Sequence, residues 1–130
     1  MRKILIPLVL CLPALAAVAA DSHSEADDVP IYEGKWTVTL PGQRTARFDL
    51  ADWLGTWRES GAAVPAACRG RKMPVTVQHS TTEQLEFTVF GSSVSPDCPD
   101  RSYVFRPLDG KTLEASLDAG GKATMKRARR

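Results

Sequence analysis

From Gly34 onward the chain alternates apolar and polar residues one by one, and it does so in a series of short bursts. In Gly34-Lys35-Trp36-Thr37-Val38-Thr39-Leu40, the residues Trp36, Val38 and Leu40 fall on one side and Lys35, Thr37 and Thr39 on the other. Successive side chains of a strand point to opposite faces, so a period of two marks a strand with one face buried. Ala46, Phe48 and Leu50 repeat the pattern opposite Thr45, Arg47 and Asp49; Trp53, Gly55 and Trp57 repeat it opposite Leu54, Thr56 and Arg58. It returns at Val75/Val77, Leu85/Phe87/Val89, Tyr103/Phe105, Leu113/Ala115/Leu117 and Ala123/Met125, the last extending toward Arg127. No segment sustains a capped helical period; Ala62 to Ala67 is alanine-rich, but Pro65 limits it to a single turn.

The segments are similar in length and separated by turn chemistry. Asp109-Gly110 predicts a two-residue hairpin, and Ala119-Gly120-Gly121 a second turn. Eight short strands joined in order predict an all-β fold, an eight-stranded antiparallel up-and-down barrel in which closure removes the exposed edges. A two-sheet sandwich is the competing arrangement. Residues 31–130 are expected to form this single domain, within the ordinary size range of one folding unit.

The residues before it read differently. Met1-Arg2-Lys3, an apolar run from Ile4 to Ala20 and small residues before Asp21 make up a secretory signal peptide over 1–20, with cleavage after Ala19 or Ala20. Pro7 and Pro13 break a run already short for the ~20 apolar residues of a membrane span. Bulky Leu10 stands where lipid attachment at Cys11 would need a small residue. Residues 21–30, acidic and ending in Pro30, read as a disordered lead-in.

Without Arg2 and Lys3 the 17 basic residues fall to 15, equal to the 15 acidic ones. A neutral domain lacks the basic excess of a nucleic-acid binder, and once the signal is removed nothing is left to hold a membrane. Charge collects at the ends, with five acids and no base in 21–33 and five bases and no acid in 122–130. No asparagine is present, which excludes N-glycosylation. The arginine-rich composition and the signal together suggest a secreted or bacterial periplasmic protein.

Export leaves Cys68 and Cys98, which an oxidising compartment would join. In an up-and-down meander the connections from odd to even strands all emerge at one end. The loops that carry the two cysteines, after the third and fifth strands, share that end. A count off by one strand would set the sulfurs roughly 20 Å apart for strands of six residues, beyond the reach of a disulfide. The same end owns both long loops, and long loops on a rigid scaffold are where binding usually resides.

Gly34-Lys35-Trp36 on the first strand, with Lys126, Arg127 and Arg129 at the last, resembles the calycin group of lipocalins and avidins. The resemblance implies that the indole packs under a basic side chain from near the end of the barrel. Gly55-Thr56-Trp57 is similar to the close of an avidin strand, but the ligand contacts of avidin cannot be aligned beyond Trp36 and Trp57, so no biotin site is implied. In size, compartment, single disulfide and Gly-X-Trp strand the chain is also similar to the small periplasmic protease inhibitors of bacteria.

Catalytic chemistry is sparse. His79 and Ser80 are strand neighbours and point to opposite faces, and Asp97 and Asp100 flank Cys98-Pro99 in a turn where Asp tends to bond its own backbone. No metal or cofactor motif is present. The expected function is therefore that of a non-catalytic binding module, engaging a protein in the manner of an inhibitor, or a small ligand, at the disulfide end. Arg69, Arg71 and Lys72 beside Cys68, facing Asp97, Asp100 and Arg101, are the candidate binding residues. An inward row of Trp36, Phe48, Trp57, Phe87, Phe105 and Met125 either fills the interior or lines a pocket for a small apolar ligand; the small size of the domain favours filling. A hydrolase working through surface carboxylates is the alternative from another class.

Overall fold

The computed structural model describes residues 31–129; the segments read as signal peptide and acidic lead-in lie outside them. Eight strands follow in order: β1 Gly34–Leu40, β2 Arg44–Ala51, β3 Leu54–Ser60, β4 Met73–Ser80, β5 Leu85–Val89, β6 Arg101–Pro107, β7 Thr112–Ser116 and β8 Lys122–Arg127. Each pairs antiparallel with the next, and β8 returns to β1 through Trp36 opposite Arg127 and Val38 opposite Met125. The wall is a closed barrel, not a sandwich.

The inward face is the apolar side of the alternation. Trp57, Phe48, Phe87, Phe105, Met125 and Val38 are fully buried. Their rings fill the lumen: Phe48 stacks on Phe87 with centroids 4.6 Å apart, Phe87 lies parallel to Phe105, and Trp57 stacks on Tyr103 at 5.1 Å. Phe48, Trp57, Phe87, Phe105 and Met125 of the expected row fill the interior, while Trp36, also buried, lies at one mouth.

Four details depart from the simple period. Trp53 does not share the buried face of Trp57; it sits in the tight β2–β3 turn and is 40 % exposed, because Ala51 already pairs with Leu54 and Asp52 turns the chain at φ 58°. A bulge between Val77 and His79 shifts the register of β4, so that His79 is exposed and Ser80 is fully buried. Asp109-Gly110 is not a two-residue hairpin. The turn runs from Leu108 to Lys111, with the Asp109 carboxylate accepting the backbone N–H groups of Lys111 (2.7 Å) and Thr112 (2.8 Å). Glu59, two residues beyond Trp57 on the same face, points inward and is 5 % exposed.

The connections β1–β2, β3–β4, β5–β6 and β7–β8 gather at one end, and β2–β3, β4–β5 and β6–β7 at the other. Loops 61–72 and 90–100 share the first end, where Cys68 and Cys98 form a disulfide with their Cα atoms 5.4 Å apart. Among the described residues no helix is long and apolar enough to cross a membrane. A disulfide of this kind belongs to an oxidising environment.

Candidate functional site

The disulfide end is a platform of two interlocked loops. Beyond the covalent link, Arg71 reaches across and donates to the carbonyl of Val94 at 3.0 Å. Arg69 stays within its own loop, donating to the carbonyls of Val64 (2.8 Å) and Ala62 (3.2 Å). The backbone N–H of Gly70 bonds the Glu59 carbonyl at 2.8 Å and ties the loop to β3. In the facing loop Asp100 accepts the N–H of Ser92 at 2.9 Å and its hydroxyl at 2.7 Å. Those bonds, the backbone one first, hold its carboxyl below the usual carboxylate range. Gly91 is demanded by the crossing: a Cβ there would lie 2.5 Å from the Pro99 carbonyl oxygen and 2.6 Å from the Cys98 sulfur.

Of the residues singled out in the sequence, Arg69 and Asp100 therefore hold their own loops, and Arg71 bridges the two. Lys72 and Asp97 are exposed. Among the described residues no carboxylate comes within 4 Å of Arg69, Arg71 or Lys72.

Beneath the loops lies a polar cluster that the sequence reading missed. The Trp57 indole N–H donates to the Glu59 carboxylate at 3.0 Å. Tyr103 is buried beside them. Burial first, and the Glu59 charge second, push the Tyr103 hydroxyl above its ordinary range. The signal was present, since Glu59 continues the inward register of Trp57, but a charged residue at such a position reads as the end of a strand. The recess left among Glu59, Tyr103 and the disulfide is about 10 Å³, room for a single water at most. This end is stoppered.

The opposite end is built differently. Just before β1 the chain crosses the barrel mouth: the Tyr32 hydroxyl donates to the carbonyl of Thr81 in the β4–β5 turn at 2.5 Å. The Trp36 indole N–H bonds the Tyr32 carbonyl at 2.8 Å. Arg127 locks the crossing, donating to the carbonyls of Glu33 and Ile31 while its guanidinium lies over the Trp36 ring. Gly34 makes this possible, with φ 123° and only 2.8 Å between an added Cβ and the Arg127 Nη1. On one side of the strut Glu33 closes the mouth by accepting the Asp52 N–H at 3.0 Å. On the other side, toward β6, β7 and β8, a cleft of about 500 Å³ remains. Its apolar lining comes from Ile31, Tyr32, Trp36, Pro107 and Leu113, and its charged lining from Asp109, Lys111, Lys126 and Arg127. No period in the sequence could have assembled it, because it joins the ends of β1, β6, β7 and β8 to two turns and to the residues ahead of β1.

His79 is exposed and Ser80 is fully buried. Among the described residues no three His, Cys, Asp or Glu side chains converge as a metal site. Comparison with family models, with curated proteins and with solved structures finds no match for the chain. What is defined is the class of architecture, a closed eight-stranded antiparallel barrel with one disulfide.

Proposed function

We propose that the protein is an exported, non-catalytic binding module that engages a protein partner, as an inhibitor would, through the rim carrying Cys68 and Cys98. The observation that supports this reading is the interlock of the two longest loops: one disulfide and the Arg71–Val94 hydrogen bond fix loops 61–72 and 90–100 against each other. Loops held in one conformation before binding lose little entropy on docking. Exposed Lys72 and Asp97, of opposite charge, then supply orientation to a complementary surface. The stacked interior argues against a ligand carried inside the barrel. The alternative hydrolase gains nothing from Asp100, whose carboxylate is spent on Ser92. The Gly34–Trp36–Arg127 arrangement supports kinship with calycin barrels, as the sequence resemblance implies.

Arg69 and Arg71 hold loop carbonyls, so removing them would confound binding with folding. Charge reversal at Lys72→Glu and Asp97→Lys leaves those contacts in place. A photo-crosslinker at Ala66, exposed on the same loop, should trap one discrete partner among the host's exported proteins, a crosslinker at Thr37 on the outer wall should not, and the reversals should abolish the product. Equal trapping from both positions, or none from either, would overturn the proposal.

A further inference from the structure

We infer that the cleft at the end of the barrel away from the disulfide is a second, independent binding site, for a small organic anion with an apolar body such as a medium-chain carboxylate. The two ends of one barrel are finished to very different standards. At the disulfide end the packing leaves about 10 Å³, whereas at the other about 500 Å³ stays open, within the range of roughly 300–1,000 Å³ typical of small-molecule sites. A domain of this size has little apolar surface to leave uncovered, yet half-buried Ile31 and exposed Pro107 line the opening beside buried Leu113. Leu108, in the adjoining turn, is 60 % exposed.

The charge of the lining selects the ligand. Three cations, Lys111, Lys126 and Arg127, stand against one carboxylate, Asp109. The carboxylate is engaged by two backbone N–H groups of its own turn, and Arg127 by two backbone carbonyls and the Trp36 ring. Lys111 and Lys126 are exposed, and among the described residues neither forms an ion pair within 4 Å. An apolar hollow beside two exposed ammonium groups, of which Lys126 also acts on the Asp109 carboxylate, matches a molecule with an aliphatic body and a single anionic head. A neutral or cationic amphiphile would lose that head contact.

The test is an amide and indole NMR titration of the full exported chain with sodium decanoate, kept below its micelle concentration, and with decyltrimethylammonium as the cationic control. Saturable shifts confined to Ile31, Lys111, Leu113 and the Trp36 indole N–H are expected for decanoate alone. Lys111→Ala with Lys126→Ala should weaken them about tenfold, as expected for two exposed charge contacts, with the thermal midpoint unchanged because neither lysine holds the fold. Three results would each overturn the inference. One is the absence of saturation, and another is equal response to the cationic control. The third is decanoate binding that emerges only after Asp21, Glu25, Asp27 and Asp28 are replaced by serine, which would make the chain's own acidic segment the occupant.

Discussion

The guanidinium of Arg127 lies 4.5 Å above the centroid of the Trp36 ring, so the last strand of the barrel clamps the first. The same side chain holds the carbonyls of Ile31 and Glu33, which makes it the fastener of both the closing seam and the strut across the mouth. Arg127→Ala is expected to cost about 1–2 kcal/mol, from a partly exposed cation–π contact and two charge-assisted hydrogen bonds. In a domain this small the thermal midpoint should fall by about 5–10 °C. Arg127→Lys keeps the charge but not the planar fork, and should recover less than half of the loss.

Glu59 and Trp57 provide a sharper comparison. Glu59→Ala leaves the buried indole N–H of Trp57 without its acceptor, at a cost of about 1–3 kcal/mol. Glu59→Gln retains an oxygen at the same place and should lose less than about 1 kcal/mol. Chemical denaturation of both variants measures the difference; equal losses would mean that the hydrogen bond contributes nothing.

Breaking the Cys68–Cys98 bond releases a loop with a sequence separation of 30 residues. The chain-entropy argument gives about 3–4 kcal/mol for a loop of that length. Reduction should therefore lower the denaturation midpoint, and hydrogen exchange should accelerate first in loops 61–72 and 90–100. Gly91→Ala attacks the same junction sterically, because the Pro99 carbonyl and the Cys98 sulfur already occupy the space a methyl group needs. Its stability should drop even with the disulfide intact.

Tyr103 sets an alkaline limit. Burial, and then the Glu59 charge, raise its folded-state pKa above the ordinary 10.0. The unfolded chain ionises near the ordinary value, so the tyrosine's contribution is complete below pH 10.0 and is lost as the pH climbs toward the folded-state value. Tyr32, raised by burial, acts with the same sign. Asp100 and Asp109 act at the other limit. Their pKa values are lowered chiefly by backbone hydrogen bonds, so their contribution is present above the ordinary 3.8 and fades as the pH falls through the folded values. Unfolding midpoints against pH, with Tyr103→Phe flattening the alkaline limb, check the assignment.

Period two was enough to place the strands and their buried faces, because in a closed barrel each inward residue meets the same apolar lumen whatever its neighbours. It was enough, too, to put Cys68 and Cys98 at one rim, since that follows from the parity of the connections. It failed where a turn resets the phase, as at Trp53. Alternation carries Glu59 to the inner face, but a carboxylate at a strand end reads as the close of the strand unless the indole N–H that it accepts is known. The open cleft was illegible for a different reason. It depends on Tyr32 reaching Thr81 across 49 positions of sequence, and a contact of that kind leaves no local mark.

The three indoles of the chain report on three separate places. Trp57 sits in the dry center, bonded to a carboxylate; Trp36 sits under a guanidinium beside the cleft; Trp53 stands in solvent at a turn. Their emission should therefore resolve into a blue, a quenched and a red component, and replacing each in turn by phenylalanine would let one spectrum follow both ends and the middle of the barrel at once.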